Sequence, residues 1–466
     1  MKTRILLILI FLFTSTFLVK AQYTKLFDFV DTTSGQSPYA DLVSDGTYLY
    51  GMTYMGGTYS KGLIFKIKPD GTAFDTVMNF SGTNGANPLG SLIYDGTYLY
   101  GMTNSGGTLN FGTIFKIMPD GTGYSNIRNF GTSAIDGLFP NSGTFYYDGT
   151  FLYGMTGMGG TFGYGNLFKI KPDGTGFSNL LNFTGPNGTT PNGSLISDGT
   201  YLYGMTVKGG TSGACGAGGC GTVFKIKPDG TGYVNLLNFN AANGRNPNGS
   251  LYFDGSFLYG TTAGSAGYWG NIFKIKPDGT GFVNLFVFTG LNGARPRSSF
   301  ISVGSFLYGM TDYGGANDKG IIFRIKTDGT GFSDLFDFSG VLDGAKPGGS
   351  LIYDGTSFYG MTSSGGTGSC LNGCGTIFRF NDLATEISEN NFQENISIYP
   401  NPASNKLFLQ SDEKFKNAFY VNYLGQSINL KLENNSCDIS NLSGGIYFLS
   451  LTTESGKVVT KKFVKK

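Results

Sequence analysis

Histidine is missing from all 466 residues of this chain. Its absence removes the commonest general base and the commonest metal ligand together. The usual Ser/His/Asp and Cys/His arrangements of nucleophilic catalysis go with it. Charge is scarce as well. Asp, Glu, Lys and Arg make up 14% of the chain and the formal net charge is +2, so no broad basic surface for nucleic acid is implied. Only one apolar run is long, from Ile5 to about Val19. It follows Lys2 and Arg4, is broken by Thr14, Ser15 and Thr16, and falls short of the roughly 20 apolar residues of a membrane-spanning helix. With Ala21 at the cut before Gln22, residues 1–21 read as a cleaved export signal. No later stretch is apolar enough to span a bilayer. The expectation is a mature chain that is soluble and outside the cytoplasm.

Glycine is abundant, with 76 residues, and aromatic side chains make up 15%, which suits short strands joined by tight turns. The phrase Leu-Tyr-Gly-Met-Thr or a near copy recurs seven times, with its tyrosine at Tyr50, Tyr100, Tyr153, Tyr203, Tyr259, Tyr308 and Tyr359. Steps of 50, 53, 50, 56, 49 and 51 residues are too long for a hairpin and too short for a domain with its own core. Neighbouring copies must therefore cover one another.

The second copy is the cleanest. Ser91-Leu92-Ile93-Tyr94 reads as a strand, Asp95-Gly96 as a turn, and Tyr98 to Thr103 as the returning strand. After the Gly106-Gly107 loop come a third strand, Thr113 to Ile117, the turn Pro119-Asp120-Gly121, and a fourth strand from Tyr124 to Phe130. Four antiparallel strands per unit describe a propeller blade. The tight turns belong inside a blade, and longer segments such as Asn84 to Pro88 cross between blades. On that framing the seventh unit stops at Phe378-Arg379-Phe380, one strand short. Leu26-Phe27-Asp28-Phe29 reads like Leu335-Phe336-Asp337-Phe338, the fourth strand of unit six, and is expected to complete the seventh. The expected architecture is all-β: a seven-bladed β-propeller over residues 22–382, its last blade closed by the N-terminal strand.

The run Leu-Tyr-Gly-Met-Thr, Gly-Gly, Gly-Thr-Ile-Phe-Lys-Ile and Asp-Gly resembles the GloVer tandem repeat of exported bacterial proteins. It is similar in layout to kelch repeats, where a glycine pair follows the second strand. The resemblance covers residues 26–380 and implies a fold without a defined activity. Unit five departs from it with Ala263-Gly264-Ser265 in place of the glycine pair, and unit six with Val303-Gly304 in place of Asp-Gly.

Residues 383–395 are polar, acidic and free of the repeat, and read as a linker. From Ile396 the chain alternates apolar strands with turns, suggesting a small C-terminal β-sandwich over 396–466. Pro400 and Pro402 resist strand pairing, so Tyr399 to Pro402 is expected to be a rigid lead-in. Pro400-Asn401-Pro402, Leu424-Gly425-Gln426, Gly444-Gly445-Ile446-Tyr447-Phe448 and the closing Lys461 to Lys466 resemble the type A C-terminal sorting domain of type IX secretion. That resemblance implies the type IX machinery as a partner, passage across the outer membrane, removal of the tail, and a secreted or cell-surface protein.

Two readings of the loop cysteines compete, a four-thiolate zinc site and two local disulfides. The pairs lie three units apart, and an oxidising compartment favours disulfides, so Cys215–Cys220 and Cys370–Cys374 are expected. Cys437 is left without a role. Calcium needs six to eight converging oxygens, whereas the turn aspartates stand one per turn. No metal or cofactor is expected, and no catalytic motif is visible. Repeated residues read as scaffold, so function is sought where the copies differ. Those positions lie in the loops between units, with Arg245, Arg295, Arg297 and Lys346, and in the second-to-third strand loops. The latter carry Tyr54, Asn104, Tyr164, Tyr268, Trp269, Asp312 and Tyr313. Aromatic rings beside amide and guanidinium donors suit sugar rings, and Trp269, the sole tryptophan, is the leading candidate. The expected function is an exported binding module for carbohydrate or another surface protein. A polysaccharide hydrolase with paired carboxylates and a purely structural surface protein are the alternatives.

Overall fold

The computed structural model describes residues 22–133, 136–140, 143–264, 269–382, 396–411, 414–422, 427–430, 432–433, 435–442, 444–453 and 458–466. The expected export signal, the 383–395 linker, Tyr268 and the Leu424-Gly425-Gln426 turn lie outside the described residues. The described chain is all-β, apart from a single helical turn at Asp31–Ser34 and a 3-10 segment at Gly213–Gly218.

Each repeat builds one antiparallel sheet whose strands lie in chain order. The second sheet comprises Ile93–Tyr94, Leu99–Thr103, Thr113–Ile117 and Ser125–Asn129. The third and sixth gain a fifth strand because their inner edge is split. In the seventh, Ile352–Tyr353, Phe358–Thr362 and Thr376–Asn381 are joined by Gln22–Asp28, with Phe27 opposite Ile377 and Asp28 opposite Thr376. The N-terminal strand thus lies where the sequence reading put it.

Every letter of the repeated phrase has a physical task. In the second sheet Leu99 enters the apolar cluster shared with the first sheet, while Tyr100 and Met102 enter the cluster shared with the third. Both faces are covered, so all five residues of the strand are buried. Gly101 lies under the Phe115 ring, where an added Cβ would come 2.5 Å from Cζ. Thr103 Oγ1 accepts the Thr113 N–H at 3.1 Å, fastening the far end of the hairpin. The Tyr100 hydroxyl donates to Asp95 Oδ2 at 2.9 Å, and Asp95 Oδ1 accepts the N–H groups of Thr97 and Tyr98. Burial and the neighbouring carboxylate push these tyrosine hydroxyls well above their usual range, Tyr359 to about 12.

Sheet six lacks the turn aspartate, having Val303 instead. Its Tyr308 hydroxyl donates to Asp382 Oδ2 at 2.9 Å, and Arg324 Nη1 reaches the same oxygen at 2.5 Å. The chain leaving sheet seven therefore supplies the carboxylate that sheet six is missing.

Successive sheets meet through seven apolar clusters, and the last joins Ile352, Tyr359 and Ile377 of sheet seven to Leu42, Leu49 and Phe65 of sheet one. Backbone N–H groups are passed from sheet to sheet in the same order. Ser91 Oγ accepts the Asp41 N–H (2.9 Å), Ser194 Oγ that of Thr144 (3.0 Å), Ser250 Oγ that of Ser194 (2.7 Å) and Ser350 Oγ that of Ser299 (2.8 Å). The Asp41 carboxylate accepts the Ser350 N–H, linking the last sheet to the first.

The tail forms two four-stranded antiparallel sheets around one cluster that includes Leu407, Leu449, Leu451 and Phe463. Ser397–Tyr399 pairs with Lys406–Gln410, Tyr399 lying opposite Phe408. Of the expected lead-in only Tyr399 pairs, because it still has its own N–H to offer, and the strand stops at Pro400. The tail rests on the face that carries the Asp-Gly turns, where Lys462 Nζ donates to the Asp354 carbonyl at 3.4 Å. The long loops lie at the other strand ends.

Candidate functional site

A cavity of about 750 Å³ opens on the loop face. Most of its wall comes from three positions that recur in every repeat: the residues before and after the inter-sheet proline, and the residue after the motif threonine. The proline fixes all three. Pro140 packs on Gly112 and Pro38 on Gly375, where a Cβ would come within 2.7 and 2.8 Å of the proline Cδ.

The residue before the proline has a left-handed backbone in all seven repeats, with φ of 52–55° at Ser37, Asn87, Phe139, Thr190, Asn246, Arg295 and Lys346. Such backbones cost about 1 kcal/mol or more for residues other than glycine, and a following proline disfavours helical geometry further. The N–H of each is held by a carbonyl of the preceding sheet. Asn87 donates to Lys61 O (2.8 Å), Arg295 to Trp269 O (2.7 Å) and Ser37 to Cys374 O (2.8 Å). The strain is thereby fixed into the rim, and the side chain can vary freely.

One wall is aromatic and cationic. Tyr39 and Tyr54 of sheet one meet nearly edge to face, ring centroids 5.7 Å apart. In sheet six, Arg295 and in sheet seven, Lys346 lie 5.1 and 5.0 Å from the centre of the Tyr313 ring. Arg297 Nε stands 3.5 Å from Asp312 Oδ2. Asp312 is 7% exposed. Burial pushes its carboxyl up, while Arg297, Lys346 and Arg295 pull it back. The facing wall is neutral: Thr190, Asn192 and Asn248, with the Asn192 amide donating to Asn248 O at 3.0 Å. The loop Cys370 to Gly373 completes the wall and holds out Leu371, which is 99% exposed.

The sequence-predicted residues divide between this cavity and its surroundings. Tyr54, Asp312, Tyr313, Arg297 and Lys346 line it, and Arg295 reaches it through Tyr313. Asn104 does not, since its amide ties two sheets together by donating to Pro140 O at 3.0 Å. Tyr164 and Trp269 lie in the outer loops, 48% and 47% exposed, with the indole over Gly290. Arg245, half-buried, is likewise not among the lining residues, and Tyr268 lies outside the described residues. Tyr39, Thr190, Asn192 and Asn248 were missed. The recurring proline was the signal that could have found them. Among the described residues Asp312 is the single carboxylate in the lining, and no glutamate precedes Glu386.

Cys215 and Cys220, Cα atoms 5.3 Å apart, stand at disulfide-bonding distance in sheet four, as do Cys370 and Cys374, 5.2 Å apart, in sheet seven. Cys437 is buried in the tail, where burial pushes its thiol up to about 11.

Many four-stranded sheets with a loop-face cavity define a propeller-like repeat protein. The sequence matches the Gloeobacter/Verrucomicrobia repeat over residues 10–217 and 264–420, and the chain belongs to that family. Residues 397–466 match the secretion system C-terminal sorting domain, which directs type IX secretion to the cell surface or beyond. No helix among the described residues is long and apolar enough to cross a membrane. No curated protein matches the sequence. Among solved structures, the extracellular domain of a hybrid two-component system from B. thetaiotaomicron is similar. Its TM-score is 0.52 at 13% identity, covering 96% of this chain and 59% of that one. The extracellular domain of a one-component system from the same organism gives 0.51 at 13% identity, with the same coverage. The chain thus spans about three fifths of these relatives, and the likeness is one of fold.

Proposed function

We propose that this protein is an exported binding module whose loop-face cavity holds a carbohydrate chain without covalent chemistry. Its body, residues 22–382, is a closed seven-bladed β-propeller, and residues 396–466 form a β-sandwich that serves export. Closure is supported by the pairing of Gln22–Asp28 with Thr376–Asn381 and by the cluster between sheets seven and one. The two cysteine pairs are disulfides, and the one at Cys370 and Cys374 shapes the cavity wall.

The observation that carries the function is the composition of the cavity. Tyr39, Tyr54 and Tyr313 stand on one side and the amides of Asn192 and Asn248 on the other, all at positions where repeats differ. Apolar ring faces with a few placed polar groups are what a sugar needs. A hydrolase using two carboxylates is disfavoured, because among the described residues the lining contains the carboxylate of Asp312 alone. A glycan-array screen of the exported chain, residues 22–466, tests the reading. Tyr39→Ala and Tyr313→Ala should each weaken retention about tenfold, ~1.4 kcal/mol, and Trp269→Ala should leave it unchanged. Retention indifferent to the cavity tyrosines would place the ligand elsewhere.

A further inference from the structure

We infer that the junction of sheets six and seven is a subsite for a carboxylate-bearing sugar, so that the ligand is a polyuronate rather than a neutral glycan. This rests on the reading of the cavity as a glycan site and adds the ligand's charge. Only 14% of the chain is charged, yet Arg295, Arg297 and Lys346 gather around Asp312 and Tyr313. The matching positions of the other repeats carry no charge. Ser37, Asn87, Phe139, Thr190 and Asn246 correspond to Arg295 and Lys346, while Tyr39, Leu89, Asn192 and Asn248 correspond to Arg297. The repeat does not require these cations, and three like charges in one corner repel one another.

Asp312 balances only part of that charge. It is buried, whereas the Arg297 side chain is 43% exposed and only 3.5 Å from its carboxylate. A surplus of positive charge therefore faces the cavity beside an aromatic ring. Guanidinium groups present paired N–H donors in a plane, the geometry that a carboxylate accepts bidentately. The Lys346 ammonium adds a point charge from sheet seven. A uronate unit offers both a ring to lie against Tyr313 and a carboxylate to meet the cations. Its neighbours along the polymer would run past Ser363 and Ser364 toward Tyr54 and Tyr39, which line the same cavity.

The test is isothermal titration of the exported chain with four probes: polygalacturonate, its fully methyl-esterified form, a sulfated galactan and poly-glutamate. Esterification removes the charge and keeps the backbone of the polymer. Polygalacturonate should bind at least tenfold more tightly than the ester, and its affinity should fall as salt rises. Arg295→Asn, Arg297→Asn and Lys346→Asn should each weaken polygalacturonate about five- to twentyfold with little change in melting temperature. Asparagine already occupies matching positions at Asn87, Asn246, Asn192 and Asn248, so these variants should fold. Equal binding of ester and acid, with the three variants silent, would overturn the carboxylate subsite and leave the glycan cavity standing. Preference for the sulfated chain, or equal binding of poly-glutamate, would overturn the assignment to uronate. Failure to bind any glycan, here or on the array, would instead remove the reading beneath it.

Discussion

Asp382 shows how one residue can repair a defect far away in sequence. Tyr308 needs a carboxylate partner, its own turn offers Val303, and Asp382 arrives 74 residues later to accept its hydroxyl. Asp382 is 3% exposed and Arg324 17% at their side chains, so loss of the carboxylate leaves a buried guanidinium without its counter-charge. Asp382→Ala should therefore lower stability by about 3 kcal/mol, read from urea or guanidinium unfolding. Adding Val303→Asp to that variant should restore a good part of the loss, because it returns the aspartate that six other repeats have. No recovery would mean that Asp382 acts chiefly as an anchor for the chain end. The gap at Val303 was visible in the sequence. Its remedy was not, since nothing local links residue 303 to residue 382.

Turns are the elements that the sequence announces best, and they carry a pH signature. Asp70, Asp120, Asp173, Asp229, Asp278 and Asp328 each accept a hydroxyl and an N–H from the threonine two residues on. These bonds hold all six carboxyls below their ordinary 3.8. A carboxyl lowered by folding stabilises the native state above its unfolded value, and that help is lost as pH falls through the folded value. Thermal stability should thus rise slightly as pH falls through about 7, where burial and Asp337 make Asp334 take up a proton in the folded state, and then decline below 3.8 as the six turn sites protonate. Replacing the six threonines by valine should soften the decline; an unchanged acid profile would assign it to other carboxylates. The rim before each proline is the opposite case. Phe139, Thr190, Arg295 and Lys346 have no local preference for a left-handed backbone, and the carbonyl of the preceding sheet overrides their propensity. Sequence reasoning therefore looked to the conspicuous aromatic loop tips, Tyr164 and Trp269, and passed over Tyr39 and Asn248.

Across the molecule, spacing made the sheets legible and the orphaned edge of the seventh repeat pointed to Leu26–Phe29. The cavity was less legible, because it forms only when residues from widely separated repeats share one mouth. The N-terminal strand does more than pair. Tyr23 stacks on Phe336 of sheet six at 4.3 Å and its hydroxyl donates to the Asp343 carbonyl. Removing residues 22–29 should leave Thr376–Asn381 as a bare edge prone to self-association, seen as a broadened melt and early elution on size exclusion. A synthetic peptide of residues 22–29 added in trans should restore the sharp transition; a truncated chain that melts like the parent would show that the strand is dispensable.

The pairing of Phe27 with Ile377 also sets an order in time. A strand from the beginning of the body is the one the last sheet waits for, so that sheet is not complete until Thr376–Asn381 has been made. Sheets one to six each draw their strands from one stretch of chain, whereas the seventh must wait for both ends of the body.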